Sequence, residues 1–286
     1  MEIYVFRPRT SLVLAPWEAR ALLRGGPVTV NLGLSRGIAS PGPAGVYLEV
    51  NGSSFHLDYK DLEYAASDRY AWYYDDGSLR RVEVRGSSYM ALEPVGGGAP
   101  TIWIDGIHMH RIKDVDPIRD ASSKVRAARV GRGHKVLDIC TGLGYTAISS
   151  VRRGASRVYS IEVSEDVLYI ASLNPWSRML GTDKITILRG DAVDLVEELP
   201  QGFFDRIIHD PPRLTPATGD LYGQEFYRRL YRLLKPGGIL YHYTGEPGRG
   251  RRVSVPRGVS RRLASVGFEV LGFDRDSLGV VAVKPR

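Results

Sequence analysis

The chain has 286 residues, 43% hydrophobic and 25% charged, an ordinary globular balance that excludes a mainly disordered protein. Its 32 Gly and 17 Pro follow no period, and its longest uncharged stretch, Ile139–Val151, is 13 residues; this excludes a low-complexity chain and a membrane helix, which needs about 20. The net charge of +7 is uneven: residues 1–115 carry 12 Lys and Arg against 13 Asp and Glu, and residues 116–286 carry 27 against 19.

The chain starts MEIYVFRPRT, with an acid at position 2 and no long apolar core, so no signal peptide is read and the cytoplasm is expected. Residues 1–115 read as a small β-rich domain. Strands are expected at 3–6, 28–32, 45–50, 54–57, 70–74, 81–84, 88–92 and 101–104, with short helices at 16–23 and 59–66. Asn51-Gly52 marks a hairpin turn. No catalytic motif precedes residue 105, so this domain is expected to recognise substrate or to be structural.

Residues 116–286 form the second expected domain. A helix at 117–130 opens it. Strands at 135–140, 157–162, 184–189, 204–209 and 238–243 then alternate with helices at 144–153, 165–174, 192–199, 223–234 and 258–266. This alternation predicts a doubly wound parallel sheet. The last two strands, 268–273 and 279–283, are too close in sequence for a parallel crossover and must pair antiparallel.

The sharpest motif is VLDICTGLGYTA, from Val136 to Ala147. A buried strand ends at Asp138, turns through Cys140, Thr141, Gly142 and Gly144, and enters a helix at Tyr145. Glycines there let a ligand approach the backbone. The next strand ends in Glu162, which can accept hydrogen bonds from ribose hydroxyls, and the third is followed by Asp191-Ala192. Acids ending three successive strands exceed what a dinucleotide fold predicts, and the third glycine of G-x-G-x-x-G would fall at Ala147.

On these residues the chain from about 117 to 286 resembles the class I S-adenosylmethionine (SAM) methyltransferases. The resemblance implies a Rossmann-like α/β fold: a seven-stranded sheet whose last hairpin is antiparallel, beside the small β-rich N-terminal domain. It implies SAM as cofactor, S-adenosylhomocysteine as product, and no metal. It places Asp138, Cys140, Thr141, Gly142, Gly144 and Tyr145 at the methionine part, Glu162 at the ribose, and Asp191 with Ala192 at the adenine. Cys140 stands where the family usually has its first glycine.

The fourth strand runs into His209-Asp210-Pro211-Pro212-Arg213. Active sites of open α/β sheets lie at the carboxyl ends of strands. Asp-Pro-Pro resembles the D/N-P-P-aromatic motif of enzymes that methylate planar exocyclic amines: adenine N6, cytosine N4, guanine N2 or a glutamine amide. The lone pair of such a nitrogen is delocalised. A carboxylate and a carbonyl that accept its N–H bonds push it toward a nucleophilic form. Asp210, Pro211 and Pro212 are the expected catalytic segment. Arg213 replaces the usual aromatic residue and can stack on a base or grip phosphate.

Two further groups complete the expected substrate contacts. His108 and His110, two apart at the domain junction, are read as one strand face turned to substrate; metal ligation would need more ligands. After the fifth strand, Tyr243 precedes a Gly-rich loop with Arg249, Arg251, Arg252 and Arg257, a pattern that suits a phosphate backbone.

The expected function is therefore methylation of an exocyclic amine in structured ribosomal or transfer RNA, with cytosine N4 favoured over guanine N2 and adenine N6. Protein amide or lysine methylation, aminopropyl transfer like that of spermidine synthase, and a non-catalytic RNA-binding module are the alternatives. Pyrimidine C5 methylation needs a cysteine nucleophile, and the lone cysteine, Cys140, lies in the SAM turn. The CTGLGYTA and HDPPR runs also resemble an archaeal group of predicted methyltransferases, and the scarcity of Asn (3) and Gln (2) points to a thermophile.

Overall fold

The structure is a computed structural model that describes residues 2–9, 11–96, 98–245 and 254–286. The elements in chain order begin with β1 (Glu2–Tyr4), β2 (Val13–Leu14), α1 (Pro16–Arg24), β3 (Gly26–Val30), β4 (Ser35–Gly42), β5 (Gly45–Val50), β6 (Ser53–Leu57) and α2 (Tyr59–Ser67). There follow β7 (Trp72–Asp75), β8 (Ser78–Arg81), β9 (Glu83–Arg85), β10 (Tyr89–Glu93), β11 (Thr101–Ile104), β12 (Ile107–His108), α3 (Pro117–Ala127), β13 (Lys135–Ile139), α4 (Tyr145–Arg152), β14 (Arg157–Glu162) and α5 (Glu165–Leu173). The chain closes with β15 (Ile185–Arg189), α6 (Ala192–Glu198), β16 (Phe204–His209), α7 (Gln224–Leu233), β17 (Leu234–Tyr243), α8 (Val255–Val266), β18 (Glu269–Asp274) and β19 (Gly279–Val283).

Two compact units share these elements. One holds residues 1–6, 118–165 and 180–286; the other holds residues 7–117 and 166–179. The first unit is built on one mixed sheet in the order β1-β15-β14-β13-β16-β17-β19-β18. Strands β13 to β17 run parallel, and β19 is antiparallel to both β17 and β18. The central strands are buried on both faces, so they read as near-continuous Val, Ile and Leu. On one face Leu137, Ile139, Ile207 and Leu240 pack with Phe226 and Leu230 of α7 and with Val259 and Leu263 of α8.

The sheet has eight strands rather than the expected seven. The extra one is β1, whose residues Glu2, Ile3 and Tyr4 pair antiparallel with Arg189, Leu188 and Ile187. The N-terminal strand thus belongs to the large sheet, not to the β-rich domain. The 117–130 helix stops at Ala127, and a turn with Arg129 at φ 52° leads into β13.

The second unit carries three small sheets: β3-β4-β5-β6, β2-β7-β8 and β12-β11-β10-β9. Its core joins Leu22 of α1 and Leu62 of α2 to Val46, Leu48 and Leu57 of the first sheet. Residues 166–179 serve this unit: the Arg9 amide donates to the Ser172 carbonyl at 2.8 Å, and Trp176 Nε1 to the Leu32 carbonyl at 3.0 Å. Among the described residues no helix is long and apolar enough to cross a membrane.

Candidate active site

Register places the candidate residues along one edge of the large sheet. Ile139 of β13 is level with Ile161 of β14 and His209 of β16, and His209 is level with His242 of β17. One residue further on stand Cys140, Glu162, Asp210 and Tyr243. Glu162 is level with Arg189 of β15, and Asp191 follows two residues later. The parallel pairing itself therefore brings these groups to one carboxyl edge.

The turn after β13 is tight. Cys140, Gly142 and Gly144 all take left-handed backbone, at φ 71°, 53° and 78°. The Cys140 and Thr141 amides donate to the Ile161 carbonyl at 3.0 and 2.9 Å, and the Gly144 amide donates to the Thr141 carbonyl at 2.7 Å. A Cβ on Gly144 would lie 2.4 Å from Leu180, whereas one on Gly142 would meet nothing within 4 Å. Gly144 is thus required by packing inside the protein, and Gly142 opens space at the edge. Tyr145 starts α4 and is buried.

Behind the turn lies a buried polar chain. Thr141 Oγ1 is 2.7 Å from Ser160 Oγ, which donates to Asp138 Oδ2 at 2.6 Å. Asp138 is fully buried, and this burial pushes its pKa up to about 7 against the Ser160 hydrogen bond. It supports the turn from beneath.

Glu162 is also inside. One carboxylate oxygen accepts the Gly142 amide at 2.9 Å; the other accepts the Val163 and Ser164 amides at 3.1 and 3.0 Å. Burial raises its pKa, and the three amides oppose the rise. Asp191 is exposed and caps α6 by accepting the Val193 amide at 2.8 Å, while Ala192 is buried. Burial pushes the Cys140 thiol well above its ordinary value, which favours the neutral thiol.

At the end of β16, Asp210 does not stand alone. Its Oδ2 lies 2.6 Å from Nζ of Lys124 on α3, and the same ammonium lies 3.0 Å from Asp120 Oδ2. The Lys124 side chain is 4% exposed and that of Asp120 1%, whereas Asp210 is 19% exposed. The Tyr243 ring centroid is 4.3 Å from the ammonium. Burial works against the Lys124 charge, but Asp210 and Asp120 outweigh it and hold its pKa above the ordinary range. Burial also raises Asp210, and Lys124 pulls it back toward the ionised form. One buried cation thus orients a carboxylate whose other side faces the edge.

The proline segment is fixed as well. Pro211 is buried, Pro212 and Arg213 are exposed, and the Tyr222 hydroxyl donates to the Pro212 carbonyl at 2.8 Å. His209, one residue before Asp210, points into the core. It stacks on His242 with centroids 4.3 Å apart, and burial drives both imidazoles toward the neutral form, His242 to about 3. Tyr241 is buried and donates to the Ser277 carbonyl at 2.7 Å, so it offers no base-stacking face.

The histidine expectation is corrected. His108 ends β12 but His110 lies beyond the strand, so they do not form one strand face. Both belong to the other unit. His108 Nε2 is 3.0 Å from Glu93 Oε2, and His110 Nδ1 is 3.0 Å from Thr101 Oγ1. Arg257 is exposed near the start of α8; Arg249, Arg251 and Arg252 lie outside the described residues.

Sequence reasoning missed Lys124, Asp120, Ser160 and Tyr222. A signal existed for the first two. Ala121, Lys124, Val125 and Ala128 share the buried face of α3, so a lysine interrupts an apolar stripe at i, i+3, i+4, i+7 spacing. A charge in such a stripe needs a buried partner.

The comparisons with known proteins now define the class. A family described as a methyltransferase domain matches residues 136–238, the span from β13 to the start of β17. Spermidine synthase from Thermotoga maritima shares the fold, with a TM-score of 0.54 and 21% identity over 70% of each chain. The first unit thus holds a match to a methyltransferase domain, on a fold that spermidine synthase shares.

Uncharacterized protein MJ1233 of Methanocaldococcus jannaschii is 44% identical over 78% of this chain and 76% of its own length, and the chain belongs to that protein's family. Ribosomal RNA large subunit methyltransferase I of Photobacterium profundum is 28% identical over 43% of this chain, which spans only 32% of that relative. The class implies SAM, and the edge fits it: space lies open over Gly142, with the Glu162 carboxylate bound to that same turn.

Proposed function

We propose that this protein methylates an exocyclic amine of a base in structured ribosomal or transfer RNA, with cytosine N4 as the favoured atom. The observation that carries the reading is the partly exposed Asp210 carboxylate, held by a buried lysine at the end of β16. The turn 140–145 holds the methionine part of SAM, Glu162 the ribose hydroxyls, and Asp191 with Ala192 the adenine. When bound, SAM supplies a methyl group already activated by a sulfonium.

The residues of the chain then have two tasks. Asp210 accepts an N–H of the amine, draws its lone pair out of the ring and takes up the proton as the C–N bond forms. Lys124 keeps Asp210 ionised until that moment. Pro211 and Pro212 fix the backbone beyond it, and Tyr243 and Arg213 flank the base. The buried cation at Asp210 disfavours polyamine acceptors, which arrive as cations. The relatives named as ribosomal RNA methyltransferases support RNA as the substrate class.

The test is methyl-labelled SAM incubated with the purified protein and with RNA, protein and small-molecule fractions from cells lacking the gene. The expected outcome is label in RNA that nucleoside digestion resolves as an N-methylated base. Asp210→Ala is expected to cut transfer by about 100-fold or more with SAM affinity unchanged. Label in protein or in a polyamine would overturn the reading.

A further inference from the structure

Among the described residues, basic side chains also gather at the end of this sheet opposite Asp210. Residues 127–135, 152–157 and 205–206 lead into or open β13, β14 and β16 at their opposite, amino end. They contain seven Lys and Arg and a single acid, Asp205. Backbone contacts knit them together. The Arg206 guanidinium donates to the Arg129 carbonyl at 3.0 Å, Arg153 Nε to the Val130 carbonyl at 3.2 Å, and the Gly133 amide to the Gly154 carbonyl at 2.9 Å.

Arg129, Arg132, Arg152 and Arg153 line this end, and all four are exposed. Asp205 is taken by Lys235 Nζ at 2.7 Å and by the Lys135 amide at 2.8 Å, so it neutralises none of them. Among the described residues Arg129, Arg132 and Arg152 form no ion pair. Burial, and then the Arg206 charge, hold His134 below its ordinary range. Arg126 and Arg129 also line an open groove with Asp274 and Asp276, and Asp274 is level with Tyr243, so this groove runs toward the carboxyl edge and only the other side of Arg129 belongs to the amino-end face.

We infer that this arginine face is a second RNA-binding surface. It grips the phosphate backbone of a folded RNA whose target base sits at the other end of the sheet. The inference rests on RNA being the substrate. Six strand residues separate the two ends, about 20 Å at roughly 3.3 Å per residue, so one nucleotide cannot touch both. The substrate is therefore an RNA of several nucleotides or more, whose backbone reaches from one end of the sheet to the other. Planar, always-charged guanidinium groups suit phosphate better than they suit a hydrophobic protein face.

The experiment measures binding of labelled bulk transfer RNA and fragmented ribosomal RNA over a salt series. It uses the wild type, Arg129→Glu/Arg132→Glu/Arg152→Glu/Arg153→Glu, and the milder Arg132→Glu/Arg152→Glu, which breaks no bond described for the fold. SAM affinity of each variant, by calorimetry, reports an intact domain. At fixed salt the variants are expected to bind RNA at least about 10-fold more weakly, with the salt slope flatter by about 1 for each phosphate no longer neutralised.

Wild-type RNA binding that both variants retain, slope included, would overturn the inference and leave the RNA substrate standing. No wild-type RNA binding would overturn both. Binding of polyglutamate but not RNA would assign the face to an acidic protein.

Discussion

Cys140 sits at φ 71°, a region that a side chain enters at a cost of roughly 1–3 kcal/mol. The family's usual glycine avoids that cost, and a slim thiol keeps it small. Cys140→Val is therefore expected to lose about 1–2 kcal/mol, because a branched Cβ crowds the left-handed backbone. Cys140→Gly is expected to stay within about 1 kcal/mol of wild type, and urea melts measure both. The glycine turn was legible in sequence because backbone conformation restricts residue choice. The Asp138–Ser160–Thr141 chain was not, since nothing in single-strand patterning says which hydroxyl will face which acid.

Lys124 makes a sharper claim. Removing it leaves Asp120 and Asp210 buried without their cation, which costs about 3–5 kcal/mol. Lys124→Met is thus expected to lower the melting temperature. Structural damage alone would reduce activity at every pH. Loss of the cation also raises the Asp210 pKa, so the acidic limb of the methyl-transfer profile is expected to move to higher pH, with Lys124→Arg restoring it. A pH profile that keeps its shape in Lys124→Met would show that the lysine serves packing alone.

At the scale of elements, the strands and helices of the parallel sheet were readable because each is buried on a fixed face. β4 was not. Its sequence SRGIASPG shows no run of large apolar residues, because it threads between β3 and β5 where small residues fit: a Cβ on Gly37 would lie 2.6 Å from the Glu49 carbonyl oxygen. Its existence follows from its neighbours rather than from itself.

The stacked pair at the ends of β16 and β17 has a thermodynamic signature. His209 and His242 have depressed pKa values in the folded chain, so their contribution is complete above about 6.5, the unfolded value. It is lost as pH falls from there toward about 3, where the His242 value lies. Among the described residues neither ring nitrogen of His209 has a hydrogen-bond partner. His209→Phe fills the same space between Tyr222 and Phe226 without an orphaned donor. It is expected to unfold at lower pH than wild type in an acid titration followed by circular dichroism; unfolding at the same pH would mean that the imidazole does not titrate in that window.

Over the whole molecule, the charge split of the sequence matches a division of labour only in part. The basic excess belongs to residues 116–286, and several of its described arginines gather at the amino end of the sheet from three separate segments. The run after Tyr243 is visible in the sequence and the amino-end group is not, because clustering across a parallel sheet leaves no local run.

The path of the chain carries one more consequence. It enters the sheet unit with β1, leaves it, returns for α3 to β14, lends residues 166–179 to the other unit and returns again. During synthesis β1 therefore emerges about 180 residues before β15, the strand it must join. The second unit likewise lacks its last segment until the sheet is half made. Neither unit can be released intact by a single cut, and trimming the first few residues would bare the edge of β15 to other chains, an invitation to aggregate. Each unit is completed only after part of the other has been made.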